Sequence, residues 1–542
     1  MPMTPELRRG IDRIRDYLFG GGYPNPAQNA EQLSFLVYFH MHEAADAARV
    51  RAARRPGATS YASVFDGEWV LRDPRNASKT GMKTVPRELL RWSSWANGLN
   101  GERLVNWVRE EVFSFHAELA AGGVTDFMDG ARLAIDEPTV LTQVVSQLND
   151  LHLEEVDADT KGDLFEHVLR QIKQAGELGQ FRTPRHVIRA VVRLVDPRLG
   201  ETVFDPAAGT AGFLVGAWDH IRLANSSSAG IEKVEADGKI LQRGLGDMLG
   251  SDAVKRLHEK TFFGADVDPQ MVRLATMNLT LRSLDRVRIL RRDALTRSLD
   301  RAAKSELGLP SGGFDVILAN PPFSGRLDRD RIVEEVKVGR TAQTELLFLQ
   351  YMLNQLKEGG RCGVVVPEGV LFGSSGAHRE LRRKLIENNS LDAVLSLPGG
   401  VFNPYSGVKT SVLLFRRGGV TGRVMFLHAD NDGFKLDANH DRPIDEDDLP
   451  DLIKAFQDRE ARWEIWQRRD ADGDWTERWW FAEADAIRAV DFNLSAGRHR
   501  PLNRTRAEHR DPLEILEELE AIERRILKEV GELTEAVREA VE

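Results

Sequence analysis

An asparagine, two prolines and a phenylalanine, Asn320-Pro321-Pro322-Phe323, end the apolar run Phe314-Asp315-Val316-Ile317-Leu318-Ala319. As packing alone, a buried strand that stops in this way has little purpose. Pro321 and Pro322 fix φ and remove two backbone donors, so the carbonyls here can be aimed rigidly into a cleft. An amide oxygen, a carbonyl and an aromatic face together suit a planar ring bearing an exocyclic amino group, as adenine does. Such an amine is a poor nucleophile, because its lone pair is delocalised into the ring. Two acceptors on its N–H bonds, the Asn320 side-chain oxygen and the Pro321 carbonyl, favour a pyramidal nitrogen and free that lone pair. Phe323 then stacks on the ring, and a base in a duplex has to be flipped out to be held so. An isolated Asn-Pro reads as an ordinary turn. Here the strand before it and the Pro-Phe after it carry the chemistry.

A second set lies upstream, at Val203-Phe204-Asp205-Pro206-Ala207-Ala208-Gly209-Thr210-Ala211-Gly212-Phe213-Leu214. A short apolar strand runs into a loop of small residues and then into an apolar helix. Gly209 and Gly212 allow a tight turn and close backbone approach to a ligand. The spacing is not Gly-x-Gly-x-x-Gly, so a pyrophosphate is not the natural ligand. Alone, the loop also fits a plain strand-to-helix turn. Thr261-Phe262-Phe263-Gly264-Ala265-Asp266-Val267-Asp268 is a further strand ending in carboxylates, before a helix that starts near Pro269. At that place in a doubly wound fold an acid commonly holds ribose hydroxyls, which suits Asp266. Asp268 suits the helix N-cap. A third strand, Val287-Arg288-Ile289-Leu290, leads to Asp293, placed to accept from an adenine amino group. Four strand ends in order describe one crevice at the carboxyl edge of a parallel, Rossmann-like sheet, and so an α/β fold.

These residues resemble those of the adenine-N6 DNA methyltransferases that use S-adenosylmethionine, and more narrowly the modification subunits of type I restriction–modification systems. Gly179-Gln180-Phe181-Arg182-Thr183-Pro184-Arg185-His186 resembles the family's segment before the glycine loop. Gly363-Val364-Val365-Val366-Pro367-Glu368-Gly369-Val370-Leu371-Phe372 and Leu397-Pro398-Gly399-Gly400-Val401-Phe402 resemble its later strands, and Gly407 to Phe415 its final one. The resemblance is strong over residues 160–416. It implies that Asp205, Ala207, Gly209, Thr210, Gly212 and Phe213 line the methionine end of the cofactor, with Phe181 and Thr183 in the same wall. It implies Asp266 on the ribose, Asp293 on the cofactor's adenine, and Asn320, Pro321, Pro322 and Phe323 as the catalytic set. Ala211 stands where the family usually has Gly, and Asp266 where Glu is common. Cytosine-N4 methyltransferases usually carry Ser in place of Asn320. Protein-glutamine methyltransferases share Asn-Pro-Pro with an aromatic but are much shorter. A scaffold without activity would be expected to lose Gly209, Asp266 or Asn320, and all three are present.

Composition fits a cytoplasmic enzyme. The chain has 542 residues, enough for three or four structural units. Its one cysteine, Cys362, excludes a disulfide framework and reads as a core residue. The first residues do not form a signal peptide, and no apolar run is long enough to span a bilayer, so no membrane contact is expected. The histidines are scattered without paired spacing, so no metal is expected. Asp and Glu number 84 against 74 Lys and Arg, a formal charge of −10, whereas an autonomous duplex binder shows a basic footprint. Two basic stretches, Arg273 to Arg292 and Arg379 to Lys384, read first as solvated faces. The resemblance implies double-stranded DNA as substrate, a separate specificity subunit that reads the sequence, and possible assembly with a second copy and a restriction subunit. No Gly-x-x-x-x-Gly-Lys-[Ser/Thr] loop occurs, so translocation and cleavage would lie in another polypeptide.

Four units are expected. Residues 1–155 carry helical spacing in Leu33, Leu36, Val37 and His40 and in Leu141, Val144, Val145 and Leu148, with Trp92, Trp95 and Trp107 as core aromatics. Residues 156–440 hold the Rossmann-like catalytic sheet, whose pattern ends after 416. Residues 441–505 form a Trp-rich helical connection with Trp463, Trp466, Trp475, Trp479 and Trp480. Residues 506–542 form a coiled-coil helix: Leu516, Leu519, Ile526, Val530, Leu533, Val537 and Ala540 alternate by three and four, interrupted only by Glu523. That stripe fits either a fold back on the chain itself or docking on the specificity subunit.

Overall fold

The computed structural model describes residues 4–54, 60–71, 83–121, 128, 130–174, 183–284, 286–323, 325–403, 406–437, 440–470, 474–501 and 512–541. Phe181 and the rest of the Gly179–Arg182 stretch lie outside them.

Nine strands make the central sheet: β1 (Val203–Asp205), β2 (Phe262–Asp266), β3 (Arg288–Arg291), β4 (Phe314–Ala319), β5 (Leu356–Pro367), β6 (Asn389–Ser396), β7 (Thr410–Arg417), β8 (Arg423–His428) and β9 (Trp479–Glu483). Their order is β3-β2-β1-β4-β5-β7-β6-β8-β9. Runs such as Val364-Val365-Val366 and Val412-Leu413-Leu414 are buried throughout, as strands covered on both faces must be. The sheet is parallel from β3 to β5, but β7 runs antiparallel to both β5 and β6, and β9 antiparallel to β8. The four strands expected to run parallel, β1 to β4, do so, and the sheet becomes mixed beyond β5. The sheet also continues past residue 416, through β8 and β9. Trp479 and Trp480, expected in a helical connection, lie on edge strand β9, and Trp480 stacks on Phe426 with centroids 6.2 Å apart. The segment Leu397 to Phe402, expected as a strand, is the turn region beyond β6.

The N-terminal residues form a separate helical core. Helix α1 (Pro5–Gly20) is capped by Thr4, whose hydroxyl accepts from Leu7 N–H, and buries Leu7, Ile11, Ile14 and Leu18. It packs with α2 (Pro26–Ala53), α3 (Pro138–Asn149) and α4 (Ala158–Gln174). Leu164, Phe165, Val168 and Leu169 of α4 belong to this core, so its apolar set runs beyond residue 155. Trp92 and Trp95 are buried in it, edge to face at 4.6 Å.

Over the sheet, α5 (Arg185–Val195) packs on α6 (Gly212–Ala224), while α7 (Pro269–Leu281) follows β2. Helix α7 buries apolar residues on two faces because it serves two cores. Val272, Ala275 and Leu279 join the sheet, whereas Met271, Leu274, Met277 and Leu281 join the helical unit. Polar pairs reinforce the join: Glu31 accepts from Gln270 and Arg273, Asp159 from Arg222, and Asp163 from Arg243. The last helix, α8 (Pro512–Val541), leaves Leu516, Leu519, Ile522, Ile526, Val530 and Leu533 about half exposed or more. No helix among the described residues is long and apolar enough to cross a membrane.

Candidate active site at the carboxyl edge of the sheet

Strand register gathers the chemistry-bearing ends. Val203 and Phe204 lie beside Val316 and Ile317 of β4, and Asp205 beside Gly264 of β2. Asp205, Asp266 and Asn320 therefore emerge at the same edge. A cavity of about 490 Å³ opens there, and Thr183, Asp205, Ala207, Gly209, Thr210, Gly212, Phe213 and Asn320 all line it. Eight of the residues singled out from sequence thus share one space. Asp266 and Asp293 do not line it, nor do Pro321, Pro322 and Phe323.

The loop after β1 is held from several directions. Gly209 has φ +51°, and a side chain at that position would project into open space. Its N–H donates to Asp266 Oδ2 at 2.9 Å, while Asp266 Oδ1 accepts from Asp268 N–H at 2.9 Å. Asp268 caps α7, accepting from Gln270 N–H at 2.8 Å. The Thr210 carbonyl accepts from Asn278 Nδ2. Gly212 has another function: a Cβ there would lie 2.8 Å from Ile188 Cδ1, so the glycine lets α5 and α6 approach. Ala211 takes φ +66° at the start of α6, a conformation suited to Gly. Burial pushes the Asp205 carboxyl up to about 8, opposed by a hydrogen bond from Ala207 N–H and helped by the neighbouring Asp266 charge. Burial raises Asp266 as well, against the N–H groups that it accepts. Asp293 is engaged in a turn, its Oδ1 accepting from Leu295 N–H at 3.0 Å.

Asn320 carries the most telling geometry. Its Nδ2 donates to Thr183 Oγ1 at 2.9 Å, whereas its Oδ1 is buried without a hydrogen-bond partner among the described residues. A buried amide oxygen without a donor is costly, and one at a cavity wall is poised to accept from a ligand. Pro321 is buried and Pro322 exposed, with the Pro322 carbonyl accepting from Thr344 Oγ1 at 3.4 Å. Phe323 is only 5% exposed and meets Phe402 edge to face at 5.5 Å. Phe323, expected to stack on a base, is thus itself packed against Phe402.

Several lining residues were missed in the sequence. The hairpin Ile231–Ala236 and Lys239–Gly244 contributes Val234, Ala236, Ile240 and Leu241 to the cavity. Its signal was present, since Asp237-Gly238 is a hairpin turn pair and both residues have positive φ. Glu166 of α4 and Arg185 of α5 line the cavity as an ion pair. No local pattern links residues that come from two separate cores. The basic stretches are largely consumed inside the chain. Arg273 pairs with Glu31, Arg286 with Glu259 and Arg379 with Asp491, while Arg288, Arg292 and Arg382 donate to backbone carbonyls. Cys362 is buried on β5, where burial pushes its thiol well up.

The family model described as N-6 DNA Methylase matches residues 156–508. The chain is 30% identical over 470 residues to the type I restriction enzyme EcoEI methylase subunit of Escherichia coli, covering 84% of this chain and 86% of that one. It is 32% identical over 301 residues to the EcoKI methylase subunit of E. coli strain K12, covering 53% and 50% respectively. A chain solved in work on the assembly and conformational transition of the type I R-M system superposes with a TM-score of 0.66 at 26% identity, covering 99% of both. The methyltransferase subunit of a type I restriction-modification system from Streptococcus thermophilus shares the fold, with a TM-score of 0.59 at 17% identity over 91% of this chain and 98% of that one. The chain belongs to the N-6 DNA methylase family: it is a DNA methyltransferase of the adenine-N6 class, of the type I modification-subunit kind.

Proposed function

We propose that this chain moves the methyl group of S-adenosylmethionine to N6 of a flipped adenine in duplex DNA, working in the cytoplasm with a separate specificity subunit. The observation that carries the reading is Asn320 Oδ1, buried at the cavity wall with no donor, while Thr183 holds the other end of the same amide. The cofactor supplies an electrophilic methyl on a positively charged sulfur. The residues present fit it: Gly209 leaves open space where a side chain would stand, and Asp205 and Asp266 offer acidic groups beside that space. Asp205, Ala207, Thr210 and Phe213 would wall the methionine end, and Thr183 both closes that wall and aims Asn320. Asp266 would turn from Gly209 N–H to ribose hydroxyls, and Asp293 would reach the cofactor's adenine from the end of β3.

Asn320 Oδ1 and the Pro321 carbonyl accept the two N–H bonds of the target amine, which draws the nitrogen towards a tetrahedral shape. Phe323, braced by Phe402, holds the ring. No strong base is required, because the nitrogen becomes acidic only as it is methylated. The C-terminal helix α8 presents its apolar stripe to solvent, which supports docking on helices of the specificity subunit rather than a fold back on the chain. A second copy and a restriction subunit would complete the assembly.

Asn320→Ala should cost on the order of 10²-fold or more in methylation rate while leaving cofactor affinity unchanged. Single-molecule methylation profiling of DNA modified by the complex reads the activity and its site, and calorimetry reads the cofactor. A variant that retained most activity would refute the catalytic assignment.

A further inference from the structure

Away from the cavity, three residues remote in sequence meet: His186 in the first turn of α5, and Asp432 and His440 from the ribbon that follows β8. Both imidazoles turn Nε2 to one carboxylate. His186 Nε2 lies 2.8 Å from Asp432 Oδ2, and His440 Nε2 lies 3.0 Å from the same atom. The three prospective donor atoms lie within 4.8 Å of one another. Asp432 and His440 are fully enclosed, His186 nearly so, and the His186 ring stacks on Phe434 at 4.4 Å.

We propose that His186, Asp432 and His440 bind one zinc-like divalent cation, which fastens Asp432 and His440 to the first turn of α5. Two imidazoles and a carboxylate are the ligand types such a cation takes, at bonds of about 2.0–2.2 Å. Tetrahedral bonds of that length place donor atoms roughly 3.3 Å apart, close to the two carboxylate–imidazole separations. The two imidazole nitrogens, which lie within 4.8 Å of one another, would close to that separation on binding. A carboxylate removed from water is stabilised by a bound cation as well as by hydrogen bonds.

The position of the site gives it a purpose. His186 follows Arg185, which lines the cavity, and stands three residues after Thr183, which holds Asn320. The ribbon also holds the hairpin over the cavity: Lys239 pairs with Asp447 at 2.7 Å, and the hairpin tip at Gly238 touches Pro443. One cation would thus join the two covers of the cavity. With three protein ligands, a water would take the fourth position of a tetrahedral cation.

The test uses the full chain, stripped with a chelator, and Co²⁺ as the probe. The expected result is one equivalent of Co²⁺ bound with the intense visible absorption of a tetrahedral site, displaced by Zn²⁺ with a rise in melting temperature. His440→Gln keeps a side-chain N–H that can reach Asp432 but removes the imidazole lone pair, so it should fold with an unchanged far-UV spectrum and lose that absorption. Absence of stoichiometric Co²⁺ and Zn²⁺ binding by the parent would overturn the proposal and leave a hydrogen-bonded His–Asp–His cluster. Undiminished binding by His440→Gln would overturn it equally.

Discussion

Thr183 and Asn320 stand 137 positions apart yet share one hydrogen bond, and the direction of that bond decides which end of the Asn320 amide faces the cavity. Thr183→Val keeps the shape and removes the acceptor, so the amide is free to turn. The expected loss is on the order of 10²-fold in kcat, the scale of a misplaced reacting group, with little change in cofactor affinity. Steady-state kinetics with separate cofactor titration checks it; an equal fall in cofactor affinity would mean that Thr183 serves the cofactor wall alone. Asp205 makes a prediction of opposite kind. Its native pKa of about 8 lies above the unfolded value near 3.9. Between those values the native chain holds a proton that the unfolded chain has released, so this group's stabilising contribution is complete below about pH 4 and is lost as pH rises through 8. The slope is at most about 1.4 kcal/mol per pH unit. Asp205→Asn should flatten that part of the profile in denaturant unfolding at pH 6 and pH 8. An identical slope in the variant would show that Asp205 is ionised throughout. The sequence made both residues legible as site members, but not their mutual roles, because a hydrogen bond across the fold leaves no trace in local spacing.

At the scale of elements, what was legible followed from strands that stop at unusual residues. Asp205, Asp266 and Asn320 each follow a short apolar run that reads as a buried strand. What was hidden came from elements whose pattern is shared by two states. Trp479-Trp480-Phe481 is apolar at every position, so periodicity does not separate a helix segment from the edge strand it forms. Helix α7 was legible as a helix, yet its burial on all sides shows only when both cores are assembled. It is the element by which the helical unit is fixed to the sheet. Leu274 is fully buried on the face towards that unit, so Leu274→Ala should cost about 2–5 kcal/mol. The sheet face, carried by Val272, Ala275 and Leu279, is untouched by the change. Limited proteolysis should therefore release the helical unit before the sheet is cut. Simultaneous loss of both would show that the two cores unfold as one.

For the whole molecule the issue is how a chain of formal charge −10 acts on a polyanion. The arginines that could have formed a phosphate track are largely paired or donate to carbonyls within the chain. Non-specific affinity for DNA rises with the number of phosphates neutralised, so this chain alone has little with which to hold a duplex. On the function proposed above, the missing cations come from the specificity subunit, docked on α8. Its stripe of Leu516, Leu519, Ile522, Ile526, Val530 and Leu533 faces solvent over a 30-residue helix, an arrangement suited to cover by another apolar stripe. A chain ending at residue 501 should therefore keep its fold and its cofactor affinity, because the cavity draws nothing from α8. It should fail to co-purify with the specificity subunit and lose duplex methylation. If the shortened chain still assembled and methylated its site, the docking surface would lie on the helical unit or the sheet. Loss of activity with assembly intact would instead make α8 a DNA-facing element rather than a joint between subunits.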